Sequence, residues 1–390
     1  MQIERVTEKN KFLSLRDEWN AFVDNCEESC ISHTHQWLSC WWDAFAEDAS
    51  LWVLLLRHEE NLVGILPLML KHERFRGLPV RVLSFMQNGH SPEGGLLLKE
   101  PAREALNNFV AYLYVMRNKW DVLRLEKMPQ KLVEACNWEE LLGLHDFECL
   151  PMDSLNSPYT HIEDDWAKYY AARSKKFRKV MRNKLNRMNK DGLLQFERLS
   201  GPQISTESLE EMFQVSKRSW KGQENKSILD DSHVEQFYRN ITAVFAPEGR
   251  VDLWSLRRNG KAVAFEYHLK HSGVTYPIRA DFDETYHALS PGSLLEFFIM
   301  KKLFEDPAIR GANSCGATYH YLMNWATAVI DRVGFLIFNS RKYSRNLYLL
   351  ESKVLPVARR AKTIVTKRSE RDENEPVQGD LRMVDSGDGG

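Results

Sequence analysis

Two segments of the chain share one pattern, residues 53–64, VLLLRHEENLVG, and residues 253–264, LWSLRRNGKAVA. Each reads as an apolar run, a short charged turn and a second apolar run, the signature of a β-hairpin. Leu56, Arg57 and Val63 coincide with Leu256, Arg257 and Val263. Each hairpin follows helical periodicity and precedes further strand signals, so duplication of one α/β unit is expected. The first unit opens with helical patterns in FLSLRDEWNAFVDNC and HQWLSCWWDAFAED. Strands follow at 51–57, 62–71, 80–86 and 94–98, then a helix over 101–118 and a strand over 121–127. Residues 128–158 form a connection. The second unit has helices at 163–191, 206–220 and 231–246 and strands at 251–258, 261–270 and 273–281. A helix over 291–305, a short strand near 309–315, a helix from about 319 and the run VGFLIFN complete it. Sequential hairpins make the sheets largely antiparallel, and a helix then crosses to a later strand. The expected class is mixed α/β (α+β), not a doubly wound sheet. The expected division is 1–150, 151–345 and a terminal 346–390. In that last part 347–365 reads as a basic helical segment interrupted at Pro356, and a disordered tail runs from about 366.

Charge and composition exclude several classes. The formal net charge of −1 gives no global pull toward DNA or an anionic membrane. No run of about 18 uncharged apolar residues exists, so no membrane-spanning helix is expected. The N-terminus MQIERVTEKNKF lacks the apolar core of a secretory signal. The six cysteines are scattered, without a CxxC pair or a zinc-spaced histidine, and read as reduced thiols of a cytoplasmic protein with no metal site. Trp37, Trp41 and Trp42 fit the core face of an amphipathic helix.

The chemistry concentrates around YHALSPGSLL, residues 286–295. Ser290 and Pro291 by themselves read as a helix cap and a first-turn proline. Gly292 is less expected, because glycine in a first turn costs about 1 kcal/mol relative to alanine. It bares the backbone where free N–H groups point outward, a place for a phosphate. His287-x-x-Ser290-x-Gly292 resembles the pyrophosphate-binding signature of GCN5-related N-acetyltransferases (GNAT), with Ser290 in place of the first glycine and His287 where Gln or Arg is usual. Together with Gly316-x-x-x-x-Tyr321-x-x-x-Trp325, Trp41-Trp42-Asp43-Ala44-Phe45, Val63-Gly64-Ile65-Leu66-Pro67-Leu68 and the basic run 174–187, the turn resembles the CelD-like acetyltransferase family. That family is associated with polysaccharide biosynthesis and related to the FemABX peptidyltransferases. The resemblance runs from about residue 30 to 330. Leu322 stands where the family has Lys, and Asn313 where an acidic residue is usual.

The resemblance implies tandem GNAT-like acyl-CoA N-acyltransferase domains. The first unit lacks a donor loop: its equivalent, QNGHSPEGGLLL, does not open a helix. The second holds acetyl-CoA or another acyl-CoA through His287, Ser290, Pro291, Gly292, Ser293 and Leu294, with Arg279 near the pantetheine arm. The expected activity is acyl transfer to an amine of a sugar or small metabolite by direct attack on the thioester, which needs a base for the amine and an acid for the thiolate. On strand 261–270, Glu266 and His268 alternate onto one face with Ala262 and Ala264 and are the base candidates, or else a solvated strand face. Tyr321 is the candidate acid, or else an aromatic partner of Trp325 one turn on. Asp281 and Trp325 are candidates for the acceptor. The run 173–190, RSKKFRKVMRNKLNRMNK, carries a cationic face opposite Phe177, Val180, Met181, Leu185 and Met188. It reads as a solvated face, as an anion site for coenzyme phosphates or an anionic acceptor, or as a nucleic-acid contact, with Arg178 and Arg182 as substrate-binding candidates. Two alternatives stand beside the acyl-CoA reading: aminoacyl transfer from charged tRNA, as in the FemABX relatives, and a GNAT-like binding protein without catalysis.

Overall fold

Both repeated segments fold as hairpins in the computed structural model, which describes residues 1–26, 29–99, 101–163, 165–190, 194–316 and 318–355. The strands of the first half are β1 (Gln2–Val6), β2 (Ser50–His58), β3 (Asn61–Phe75), β4 (Leu78–Phe85), β5 (Leu97–Leu98), β6 (Val122–Pro129) and β7 (Glu148–Met152). Those that follow are β8 (Ser157–His161), β9 (Leu194–Ser200), β10 (Val251–Arg258), β11 (Lys261–His271), β12 (Val274–Phe282), β13 (Gly311–Asn313), β14 (Ala328–Ile330) and β15 (Arg332–Phe338). One sheet has the order β1-β2-β3-β4-β6-β15-β7 with β5 beside β3, and the other β14-β8-β13-β12-β11-β10-β9. Each sheet combines antiparallel hairpins with one parallel pair, β4 with β6 and β12 with β13. The mixed α/β class expected from sequence is the class observed.

The two halves repeat in detail. A β-bulge falls between Leu56 and Arg57 in one hairpin and between Leu256 and Arg257 in the other. The bulge re-aims each arginine at two carboxylates. Arg57 binds Glu4 of β1 at 2.8 Å and Glu18 of the helix Arg16–Asp24. Arg257 binds Glu197 of β9 at 2.8 Å and Glu211 of the helix Thr206–Lys217. The same arginine therefore ties an edge strand and a helix to the hairpin in each half.

A shared core joins the halves. Trp37 and Trp41 of the helix His35–Phe45 are buried as expected, and Trp37 meets Phe237 of the helix Ser232–Phe245 edge-on at 5.1 Å. Residues 1–341 accordingly form one unit. The run VGFLIFN, placed by sequence in the second unit, inserts as β15 between β6 and β7 of the first sheet. Phe335 and Ile337 explain the placement, because they complete the first half's core, where Trp138 stacks on Phe335 at 5.7 Å.

Local chemistry sets the other departures. The expected helix 163–191 is two helices, Trp166–Ala171 and Lys175–Lys190, because the Ser174 hydroxyl accepts the amide of Phe177 and starts a new N-terminus. The strand expected over 94–98 shrinks to Leu97–Leu98. Gly94 and Gly95 serve close packing instead: a Cβ on them would lie 2.5 Å from Glu126 O and from Pro67 Cγ. Residues 342–390 form a separate unit, described as the helix Lys342–Leu349 and a π-helical turn Leu350–Val354. The expected interruption at Pro356 and the tail from 366 lie outside the described residues. No helix among the described residues is long and apolar enough to cross a membrane.

Replacing Arg257 by Met removes three charge-assisted contacts from partly exposed partners. The unfolding free energy should drop by about 1–2 kcal/mol, read as a lower denaturant midpoint with an unchanged slope.

Candidate functional site

Strands β12 and β13 pair in parallel only at Val274–Gly311 and Thr275–Ala312. Beyond Thr275 this pairing stops, one residue before β13 ends at Asn313, and β12 continues to Phe282 with β11 as its paired neighbour. At its end Asp283 caps a 3-10 turn, Glu284–Leu289, by accepting the amide of Thr285 at 3.1 Å. Arg218 Nε donates to the fully buried Asp283 carboxylate at 2.6 Å and fixes where the turn leaves the sheet.

The chain then enters the helix Pro291–Phe304 through Ser290, at φ 55°, ψ 52°. This is the left-handed region that glycine favours, and it is the position at which the signature has glycine. The helix starts at Pro291, yet the Ser290 side chain makes no capping hydrogen bond. The simple capping expectation therefore fails, and the first-turn N–H groups have no side-chain cap. A Cβ at Gly292 would meet only Phe282, at 3.4 Å, so internal packing does not demand glycine there. Two cations from the helix Lys175–Lys190 reach this turn: Lys184 Nζ donates to Ser293 Oγ at 2.9 Å, and Arg187 Nη1 to Ala288 O at 2.8 Å. His287 is exposed beside them. Leu294 does not face the turn's surface: its side chain is in the core and its amide donates to Ser290 O.

Glu266 and His268 are buried, at 4% and 3% exposure, on the face of β11 against this same helix. The alternative of a solvated strand face is thereby excluded for them. His268 Nε2 lies 2.9 Å from Glu266 Oε2, and Nδ1 lies 3.1 Å from Thr275 Oγ1. Burial holds the imidazole pKa down to about 4. A neutral ring donating from Nε2 to Glu266 and accepting the Thr275 hydroxyl on Nδ1 satisfies the network. The residue missing from the sequence reading is Glu296, in the second turn of the helix, whose carboxyl hydrogen-bonds Glu266. Burial raises Glu266 to about 7, and burial together with the Glu266 charge pushes Glu296 well above the usual range. Its signal in the sequence was an isolated acid in the apolar run LLEFFIM.

Tyr321 is exposed, and partial burial of its hydroxyl, followed by the charges of Glu296 and Glu266, raises its pKa above the ordinary tyrosine value. It stacks on Tyr319, with ring centroids 5.9 Å apart, instead of on Trp325. The expected helix is one turn, His320–Met323. Trp325 is buried against Phe177 at 4.7 Å, and its carbonyl accepts Thr160 and Tyr169, so it pins the loop rather than lining a surface.

Arg279 and Asp281 face the opposite side of the sheet, because their cross-strand partners are Tyr267 and Phe265. Arg279 donates to Asp281 at 2.6 Å and to Ser216 at 3.0 Å, and Lys221 also pairs with Asp281. They lock the helix Thr206–Lys217 to β12 and are not brought to Glu266. Arg178 donates to Arg173 O, and both Arg178 and Arg182 act on Tyr170 rather than on the Ser290 turn. Val180, expected on the docked face of that helix, is 42% exposed, while Met181 and Met188 are buried.

One cluster has metal-ligand types. Cys30, His33 and Glu93 bring ligand atoms within 4.8 Å of one another. His33 Nδ1 accepts the Cys30 amide at 3.1 Å, Nε2 donates to Gly94 O at 2.6 Å, and Glu93 pairs with Arg332 at 3.2 Å. Both imidazole nitrogens are in use, and the trio serves as a structural lock under β15.

Residues 175–321 match the family model described as an acetyltransferase (GNAT) domain. The match contains the basic helix, the carboxyl pair, the Ser290 turn and Tyr321. A solved structure described as FemX is similar in fold, with TM-score 0.62 and 11% identity over 90% of this chain and 99% of that one. A conserved protein of unknown function from Bacteroides thetaiotaomicron aligns with TM-score 0.54 and 12% identity, over 87% of this chain and all (100%) of that one. The C-terminal domain of a putative lysylphosphatidylglycerol synthetase from Agrobacterium fabrum gives 0.52 and 13%, over 88% and 97%. No curated protein matches the sequence. The domain match supports an acyltransferase, and the neighbours share its fold.

Two outcomes follow from the site. Ser290→Gly should change stability by less than about 0.5 kcal/mol, because relief of left-handed strain offsets the added freedom of the unfolded chain. Ser290→Val should cost about 2 kcal/mol, both read by thermal denaturation. The second concerns pH. Glu266 has a folded pKa near 7 against 4.5 unfolded, so its favourable contribution is complete below 4.5 and is lost as pH rises through 7. His268 works oppositely, losing its contribution as pH falls from 6.5 through 4. Glu266→Gln should therefore gain stability relative to the parent as pH rises from 4.5 to 7, measured by denaturant unfolding across that window; a constant difference contradicts the assignment.

Proposed function

We propose that the chain is an acyl-CoA-dependent N-acyltransferase, transferring an acetyl or related acyl group directly from the thioester to an amine. The observation that carries this reading is the first turn of the helix Pro291–Phe304. It has no side-chain cap, two cations stand beside it, and it follows β12 in the chain, inside the segment that matches a GNAT domain. Backbone N–H groups and the helix dipole there favour phosphate oxygens. In this reading Ser290, Pro291, Gly292, Ser293 and His287 form the donor turn, and Lys184 and Arg187 supply the cationic side. The acyl group reaches the end of the β12–β13 pairing, where Glu266, hydrogen-bonded to His268, faces the site and Tyr321 stands as a proton donor for sulfur.

The division of labour is part of the proposal. Residues 1–150 act as a GNAT-like unit without a donor loop, residues 151–345 carry the donor site with β15 lent to the first sheet, and 346–390 are appended. In the first half the corresponding opening is filled by the chain's own loop: Gly94 N donates to Lys127 O at 3.1 Å, and Lys127 Nζ donates to the carbonyls of Asn88 and Ser91. The CelD-like resemblance supports an amino sugar or related small amine as acceptor, in surface-polysaccharide assembly in the cytoplasm.

The cationic face of the helix Lys175–Lys190 and the FemX-like fold favour a second reading, aminoacyl transfer from a charged tRNA. Calorimetric titration separates the two. The purified protein should bind acetyl-CoA, and Gly292→Glu, which puts a carboxylate on the donor turn, should weaken binding at least tenfold with an unchanged circular dichroism spectrum. Folded protein that ignores acyl-CoA but retains tRNA, released steeply by salt, overturns the first reading in favour of the second.

A further inference from the structure

The helix Lys175–Lys190 spends two of its cations on the Ser290 turn, Lys184 and Arg187, and points most of the others elsewhere. It holds eight Lys or Arg and no Asp or Glu, so nothing within the helix balances the charge. Met181 and Met188 are buried and fix its inward face. Lys175, Lys179, Arg182 and Lys190 then fall in one outward row, at the spacing of successive turns, and all four are exposed. Lys176, Val180 and Arg187 form a second exposed row beside it. That second row ends on the Ser290 turn, because Arg187 Nη1 donates to Ala288 O at 2.8 Å. The outward row extends about 22 Å along the helix, farther than the nucleotide end of a coenzyme reaches.

Among the described residues no carboxylate forms an ion pair with Lys175, Lys176, Lys179, Arg182 or Lys190. The acids just before the helix are engaged elsewhere: Glu163 faces His161 at 3.7 Å, and Asp165 caps the helix Trp166–Ala171. Lys175 and Lys176 stand in the first turn, where the helix dipole favours acids instead. The formal net charge of the chain is −1, so this face is a local concentration and not a general basicity. Cations gathered against their own repulsion and the dipole fit a partner with a matching acidic surface. Val180, 42% exposed within the face, favours a protein over a nucleic acid, because it offers an apolar contact that a phosphate backbone does not use. Neither row carries an aromatic side chain on which a base could stack.

We propose that this face docks an acidic carrier protein whose phosphopantetheine arm presents the acyl thioester at the Ser290 turn. The proposal rests on the acyl-transfer reading above and names a second form of its donor. A carrier-bound arm has the phosphate, pantetheine and thioester of an acyl-CoA, with a protein in place of the nucleotide. The phosphate meets the free N–H groups of the turn, Lys184 and Arg187. The acidic surface of the carrier lies along Lys175, Lys179 and Arg182. The transfer balances as it does for the coenzyme: the C–N bond forms, the C–S bond to the arm breaks, and the proton lost by the amine ends on the arm's sulfur. The carrier leaves as the free thiol.

The test uses the full-length protein and a dye-labelled bacterial acyl carrier protein with an acetylated arm, followed by fluorescence anisotropy at low salt. The parent should bind it, and the same carrier without its arm should bind about tenfold more weakly. The double variant Lys175→Glu, Lys179→Glu should lose about tenfold or more in affinity for the acetylated carrier. Acids in the first turn suit the helix, so its circular dichroism spectrum should be unchanged. Its acetyl-CoA affinity by calorimetry should stay within about twofold. Equal affinity of parent and variant for the carrier overturns the docking face. So does a parent that binds acetyl-CoA and ignores the carrier, and in both cases the acyl-CoA reading stands. A parent that binds the acetylated carrier but no acetyl-CoA supports the face and removes the coenzyme as donor. Binding of tRNA that the variant abolishes, with no carrier bound, assigns the face to nucleic acid and overturns the proposal.

Discussion

The site depends on a parallel pairing that stops after two residues. β12 and β13 hold together at Val274–Gly311 and Thr275–Ala312 and pair no further. This leaves part of the sheet's backbone without a neighbouring strand, a state that buried strands otherwise avoid. The sheet can tolerate it because other anchors carry the load. Antiparallel β11 pairs along the other edge of β12, Asp283 is clamped by Arg218 at the far end, and β8 and β14 close the side beyond β13. The helix Pro291–Phe304, whose first turn has no side-chain cap, follows β12 through the turn Glu284–Leu289.

The first half shows what happens when the same architecture is not kept open. Its β4 and β6 pair in parallel over Val82–Val122 to Ser84–Arg124, and the loop after β4 folds back onto β6 through Gly94 and Lys127. Gly94 and Gly95 permit that approach because neither position has room for a Cβ. The arginine clamps and bulges of the two hairpins match, so the scaffold is common and the difference lies in one loop. Function on this fold is a matter of which opening is filled.

Buried polarity distinguishes the site from its surroundings. Arg279, Asp281, Lys221 and Ser216 satisfy one another on one face of β12, and Cys30, His33, Glu93 and Arg332 do so under β15. Glu266, Glu296 and His268 differ in holding two acids that, among the described residues, make no ion pair with a lysine or arginine. Such a cluster costs stability and is the kind of arrangement that shifts proton affinities at reacting centres. A neutral imidazole hydrogen-bonded to Glu266 lowers the cost of holding these polar groups between β11 and the helix Pro291–Phe304.

Much of the fold was legible in the sequence. Period-two alternation and charged turns marked the two hairpins, and Leu56, Arg57 and Val63 against Leu256, Arg257 and Val263 disclosed the duplication. The Ser-Pro-Gly run marked the start of the helix Pro291–Phe304, and strand alternation placed Glu266 and His268 on one face. Those signals are local, set by backbone geometry over a few residues. The rest was not local. β15 joins the first sheet because Phe335 and Ile337 fit a core built 200 residues earlier in the chain. Lys184 and Arg187 meet the Ser290 turn because helix packing sets which turn of a basic run lies alongside it. Glu296 becomes part of a carboxyl pair only because its helix crosses β11 at Glu266. The sequence by itself determined the hairpins, the duplication and the turn at Ser290 that opens the helix. Tertiary structure alone decided how strongly Glu266 and His268 hold a proton, because proton affinity depends on burial and neighbours that no stretch of residues specifies on its own.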